Sequence, residues 1–172
     1  ILGNWVNYLN HFIIIAFLYQ MKRGEKHSLK RHTAGGLKPS GTIRIISGRF
    51  RGRKLPVLDV QGLRPTTDKN REMLFSWLMG YTSEANCLDA FAGSGGLGFE
   101  ALSRYAKSCT FIELDKKAAN TVLDNIQLLD LSAQQAKIIQ GNTLDILNNL
   151  NQPYDLIFLD PPFNQNLLPE TI

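Results

Sequence analysis

Cysteine, histidine and long apolar runs are all scarce in this chain of 172 residues, and each scarcity removes a class of protein. Cys87 and Cys109 are its two cysteines, which make neither a disulfide framework nor a metal site. Each opens an apolar segment, which marks them as buried structural thiols in a reducing compartment. His11, His27 and His32 have no ligand partners at metal spacing, so no metal site is predicted. The uninterrupted apolar run from Phe12 to Leu18 is seven residues long, whereas a membrane-spanning helix needs roughly 20. No membrane partner is therefore expected, and a cytoplasmic location fits.

Acidic residues are scarce in one stretch only. Residues 21–54 hold eleven Lys/Arg and a single acid, Glu25, while the chain after residue 54 holds eight basic and fourteen acidic residues. The formal net charge of +4 thus hides a cationic arm on an acidic body. That distribution favours a nucleic-acid partner.

The chain divides by composition. Residues 1–20 do not begin with Met and lack the positive n-region and cleavage site of a signal peptide. Met21 opens the basic stretch and reads as a natural start, so 1–20 is expected to be an upstream or other non-native extension. Residues 21–41, rich in Lys, Arg, Gly, Ser and His, read as a flexible basic arm. In 42–80 a run alternating around Gly48 and Gly52 predicts a β-hairpin. After it, Thr67 or Asp68 caps a helix running to about Met79, with Met73, Leu74, Trp77 and Leu78 on its inner face.

Residues 81–172 change pattern to strand, helix, strand, helix. Strands are predicted at Cys87–Phe91, Cys109–Leu114, Ala136–Gln140 and Tyr154–Leu159. Helices fall near Leu97–Tyr105, from Asp115 through about Leu129, and at Leu144–Leu150, the second with Ala118, Val122, Leu123 and Ile126 inward. Such alternation implies parallel βαβ units in a doubly wound α/β sheet.

In such a sheet, ligands bind outside the carboxyl ends of the strands. The turn after the first of these strands, Gly93-Ser-Gly95-Gly96, has too little side chain to keep a ligand from the backbone, and it opens a helix N-terminus. Glu113 ends the next strand, twenty residues beyond Gly93, a spacing that suits a carboxylate accepting from two ribose hydroxyls. These features specify an adenosine cofactor and no more. Gly93-x-Gly95-x-x-Gly98 is a literal dinucleotide fingerprint, so NAD competes. Asp89 tilts the choice, because a carboxylate there sits poorly beside a pyrophosphate but well beside the sulfonium and ammonium of S-adenosylmethionine. Asn142, after the third strand, is placed either to contact adenine or to serve a turn.

Asp160-Pro161-Pro162-Phe163 follows the fourth strand. An aromatic amine is a poor nucleophile because its lone pair is delocalised into the ring. A side-chain oxygen of Asp160 and the Pro161 carbonyl can accept its hydrogen bonds, and Asp160 can take up the released proton. The two prolines hold that carbonyl rigid, and Phe163 can stack on an extruded base. The plainer alternative is a proline-rich exit turn with Phe163 as core filler.

With these segments in hand, the chain resembles the RsmD family of class I S-adenosylmethionine-dependent methyltransferases, which modify a guanine N2 amine in 16S rRNA. The matching segments are Arg44–Pro56, Leu63–Leu78, Leu88–Leu102, Phe111–Asp115 and Phe158–Phe163, of which the Arg64-Pro-Thr-Thr-Asp68…Arg71-Glu72 stretch is the most specific. The resemblance implies a Rossmann-like fold with an N-terminal hairpin and 16S rRNA or the small ribosomal subunit as partner. It implies that Asp89, Gly93, Gly95, Glu113 and Asn142 bind the cofactor and that Asp160 to Phe163 hold the guanine. Arg64, Thr66, Asp68 and Arg71 would border the cleft. Arg44, Arg49, Arg51, Arg53 and Lys54, with Arg64 and Arg71, are the candidate RNA contacts.

The chain departs from the family pattern in two places. Asn142 stands where relatives commonly carry an acid. The chain also stops nine residues after Phe163, so C-terminal strands of the fold are expected to be missing. Tyr154–Leu159 would then be an apolar sheet edge. A monomer is expected. Adenine-N6 methylation of DNA, NAD-dependent oxidoreduction and an RNA-binding remnant without turnover are the competing functions.

Overall fold

The computed structural model describes residues 13–15, 41–58 and 67–161. Its strands are β1 (Ile13–Ile15), β2 (Gly41–Arg44), β3 (Lys54–Val57), β4 (Asn86–Asp89), β5 (Ser108–Glu113), β6 (Ala136–Gln140) and β7 (Leu156–Phe158). Its helices are α1 (Asp68–Trp77), α2 (Gly96–Ser103), α3 (Lys116–Leu128) and α4 (Thr143–Asn149). Strands β2 and β3 pair antiparallel as the predicted hairpin. The other five form a parallel sheet in the order β1-β7-β4-β5-β6.

Caps chosen by the sequence set the helix starts. The Thr67 hydroxyl accepts the Asn70 N–H at 3.3 Å, and one Asp115 oxygen accepts the N–H groups of Lys117 and Ala118, both at 2.9 Å. The Asn142 side chain does the same for Leu144 and Asp145.

The two faces of the sheet follow the strand period of two. Cys87, Cys109, Phe111, Leu156 and Phe158 point to one face, where α1, α2, α3 and the hairpin cover them. Leu88, Ala90, Ile112 and Leu159 point to the other, under Leu147 of α4 and Tyr154. Chain order runs outward from β4 through β5 to β6, then returns to β7 on the opposite side of β4. That reversal is a topological switch point.

Three expectations are corrected. Strand β7 is not a bare edge, because Ile13–Ile15 pairs with Leu156–Phe158 and takes up its outer hydrogen-bonding groups. Those three residues lie within the stretch expected to stand outside the fold; the rest of 1–20, and 21–40, lie outside the described residues. Trp77 was assigned to the inner face of α1 but is exposed, Phe75 being buried beside Leu74 and Leu78 instead. Leu123 is exposed on α3, where Ala119 and Asn125 join Ala118, Val122 and Ile126 inside.

The hairpin is clamped to the core through α2. The buried Glu100 carboxylate accepts the N–H groups of Ile46 at 2.8 Å and Ser47 at 3.1 Å, and pairs with Arg104 Nε at 2.7 Å. One turn on, the Ser103 carbonyl accepts the Arg49 N–H at 2.8 Å, and its hydroxyl accepts from Phe50 N–H and donates to the Ser47 carbonyl. Gly48 sits between them at φ +81°, where a β-carbon would lie 1.8 Å from the Ser103 carbonyl oxygen. Across the hairpin, Asn125 of α3 donates to the Pro56 carbonyl at 2.9 Å.

Removing Glu100 leaves two half-buried N–H groups and a guanidinium without their acceptor. Glu100→Ala is expected to lower stability by roughly 3 kcal/mol, and Gly48→Ala by at least as much. Urea midpoints at unchanged m measure both; midpoints equal to wild type would show that the clamp contributes nothing.

Candidate active site

The site lies at the carboxyl ends of β4, β5 and β7, on the switch point where open α/β sheets bind ligands. Asp89 ends β4. Its carboxylate is buried and accepts the Gly98 N–H at 3.0 Å. Glu113 ends β5, half-buried, and accepts the N–H groups of Gly93 at 2.7 Å and Asp115 at 2.8 Å. Asp160 follows β7, also half-buried, and its charge acts on Asp89. Three neighbouring strands thus bring three carboxylates together around one glycine turn.

The turn is shaped by close contacts. Gly93 has φ +53°, and Gly95 has φ +76° with its N–H donating to the Ala92 carbonyl at 2.7 Å. Gly98 has a different reason. A β-carbon there would stand 2.2 Å from the Phe111 ring, so the third glycine of the fingerprint lets α2 settle onto β5. Its amide then reaches Asp89.

Burial pushes the Asp89 carboxyl up to about 7. The Gly98 hydrogen bond opposes that rise, and the nearby negative charges of Asp160 and Glu113 add to it. A pocket built this way disfavours a pyrophosphate and favours a ligand that carries positive charge.

The remaining predicted residues separate. Asn142 is exposed and caps α4, so its oxygen is used by backbone donors. Pro161 is half-buried beside Asp160, while Pro162, Phe163, Arg64 and Thr66 lie outside the described residues. Arg44, Arg49, Arg51, Arg53 and Lys54 are all exposed on the hairpin. The hairpin tip reaches the far end of the helices, where Arg53 donates to the Leu128 carbonyl at 2.8 Å and caps the C-terminus of α3.

Arg71 is a correction. It was grouped with the RNA contacts but is 1% exposed. Its guanidinium donates to the Arg44 carbonyl at 2.6 Å and Asp68 at 2.7 Å, and a β-carbon on Gly96 would lie 3.2 Å from it. Burial lowers its pKa, against the raising charges of Asp68 and Glu100. Arg71 ties α1 and β2 to the start of α2 and faces no solvent.

Sequence reasoning missed Glu100, Ser103 and Thr143, whose hydroxyl donates to the Ala90 carbonyl at 2.7 Å and pins α4 to the end of β4. The signal for the first two was the Glu-Ala-Leu-Ser continuation of the glycine turn. Among the described residues no group of His, Cys, Asp or Glu is placed to hold a metal ion. Nor is any helix there long and apolar enough to cross a membrane.

The model of the family described as conserved hypothetical protein 95 matches residues 43–172. The chain belongs to the RsmD family. It is 56% identical over 134 residues to ribosomal RNA small subunit methyltransferase D of Haemophilus influenzae, covering 77% of this chain and 69% of that protein. To the protein of the same name from Escherichia coli K12 it is 51% identical over 133 residues, covering 77% and 66%. The chain therefore spans about two thirds of the length of these relatives. The solved structure of yhhF from Escherichia coli superposes with a TM-score of 0.70 at 50% identity, covering 77% of this chain and 71% of that one. The glycine turn, the Asp-Pro-Pro segment and the hairpin from Ile43 onward fall within the matched residues.

In an unfolded chain the Asp89 carboxyl ionises near about 4. Between about pH 4 and 7 the folded protein keeps a proton on Asp89 that the unfolded chain has lost. That contribution to stability is full below about 4 and is lost as the pH rises through about 7. Asp89→Asn keeps an acceptor for Gly98 and removes the titration. Its Tm relative to wild type is expected to climb between about pH 4 and 7 and to level off above that; a constant difference across that range would show that Asp89 does not titrate there.

Proposed function

We propose that this chain is an S-adenosylmethionine-dependent methyltransferase acting on the exocyclic N2 amine of a guanine in small-subunit ribosomal RNA. The observation that carries the reading is the convergence of Asp89, Glu113 and Asp160 on the glycine turn. The names of the relatives support an rRNA substrate and methyl transfer. The acidic pocket supports a cationic cofactor over NAD.

The chain's own residues divide the work. Asp89 faces the positive charge of the cofactor, and ionises as that charge arrives. Glu113 keeps acceptor positions beyond its two backbone partners, since a carboxylate offers about four, and these take ribose hydroxyls. S-adenosylmethionine, when bound, supplies an electrophilic methyl group. Asp160 and the Pro161 carbonyl accept the two hydrogens of the guanine amine, which turns its lone pair toward the cofactor, and Asp160 receives the proton. Pro162 and Phe163, outside the described residues, continue the same segment, and its aromatic residue is the one proposed to stack on the base. Arg44, Arg49, Arg51 and Lys54 attract the phosphate backbone, which makes affinity fall steeply with salt.

Asp160→Ala is expected to lower methyl transfer to unmodified small subunits by about 10²-fold or more. Calorimetric affinity for S-adenosylhomocysteine should stay within about threefold, because the cofactor contacts of Asp89 and Glu113 remain. Equal loss of turnover and affinity would remove Asp160 from the proton-accepting role. Methyl transfer to duplex DNA but not to rRNA would replace guanine by adenine in the reading, and selective NAD binding would end it.

A further inference from the structure

Three exposed aromatic rings lie at the end of the sheet away from the carboxylates. Trp77 ends α1, Tyr81 follows in the connection to β4, and Tyr105 follows α2; they are 59%, 60% and 59% exposed. The backbone gathers these segments, for Glu84 N–H donates to the Tyr105 carbonyl and Lys107 N–H to the Ala85 carbonyl, each at 2.9 Å.

Tyr105 is held in an unusual way. It closes α2 as the left-handed residue of a Schellman motif, with φ +69°, its own N–H donating to Leu102 and the Ala106 N–H to Ala101. Glycine is the ordinary choice at that position, because a β-carbon there is strained. The same position after α3 is taken by Asp130, a residue that tolerates the left-handed region. A bulky ring in the strained place, pointing outward, does nothing for the packing of the core.

The surroundings are cationic. The exposed Arg49 and Arg51 of the hairpin tip come beside the end of α2, where Arg49 N–H meets the Ser103 carbonyl, and exposed Lys107 follows Tyr105 by two residues. Arg49 already lies 4.6 Å from the centroid of the Phe50 ring. Exposed Glu84 and Asp155 are acids in this neighbourhood, Asp155 accepting the Asn86 N–H at 2.8 Å, and they stand against the three cations. Rings that can stack on any base, edged by cations, form the combination that holds single-stranded nucleic acid.

We propose that Tyr81 and Tyr105, with Trp77 and bordered by Arg49, Arg51 and Lys107, form a second RNA surface that stacks unpaired bases outside the cleft. It rests on the rRNA reading above. The two surfaces are separated by the length of α2, eight residues or about 12 Å. The RNA is therefore gripped at both ends of one helix, and unpaired nucleotides away from the target base contribute to recognition.

The test uses the full chain, a fluorescein-labelled single-stranded RNA of mixed sequence, and the same RNA with abasic sites in place of its bases. Tyr81→Ala and Tyr105→Gly should each weaken binding of the ordinary RNA about fivefold or more, the lower end of one base–aromatic stack. Binding of the abasic RNA and of S-adenosylhomocysteine should not change. Tyr105→Gly should also melt no lower than wild type, since glycine relieves the left-handed backbone, which separates lost stacking from lost folding. Unchanged binding, or equal loss for both RNAs, overturns the surface while leaving the rRNA reading in place. Weakened binding to assembled subunits but not to RNA overturns it in favour of a protein contact. Wild-type protein that binds no RNA overturns the surface and the rRNA reading together.

Discussion

Helix α2 comes closer to its neighbours than a helix carrying ordinary side chains can. Gly98 admits the Phe111 ring of β5 on one side, and Gly48 of the hairpin comes against the Ser103 carbonyl on another. Because of the first contact, the Gly98 amide reaches Asp89 and the glycine turn stands beside the carboxyl ends of the strands. Because of the second, the hairpin lies along α2, with Glu100 and Ser103 satisfying the backbone donors of its tip. The glycine turn and the basic hairpin are two ends of one packing problem.

The carboxylates oppose this economy. Placing Asp89 in the interior near Asp160 and Glu113 raises its pKa and costs stability at neutral pH, a cost the Gly98 hydrogen bond offsets only in part. Elsewhere the described charges are handled conservatively. Glu100 is paired with Arg104, Arg71 with Asp68, and Arg53 covers a helix C-terminus. The contrast separates the cluster at the strand ends from the ion pairs that hold the fold together.

Much of this was legible in the residues. Strand and helix periods located every element of the βαβ core, and Thr67 and Asp115 identified helix starts by their capping chemistry, whereas the cap role of Asn142 was read only as a possible turn. The gathering of Asp89, Glu113 and Asp160 at one end of the sheet followed from where strands end. Tertiary contacts were not legible. Arg71 was placed among the RNA contacts by the resemblance alone, yet α1 turns it under the start of α2. Trp77 read as core because helical spacing put it with Leu74 and Leu78, yet it is the last residue of α1 and is exposed. Nothing local could show that Ile13–Ile15 pairs with a strand some 140 residues later.

Helix α2 also acts as a ruler. Its eight residues make little more than two turns, and each residue adds about 100° of rotation and 1.5 Å of rise. One inserted residue would swing Glu100 and Ser103 away from the hairpin if the glycine turn held its place, or displace the turn if the hairpin held. The length of α2 therefore sets the interval between the glycine turn and the hairpin tip.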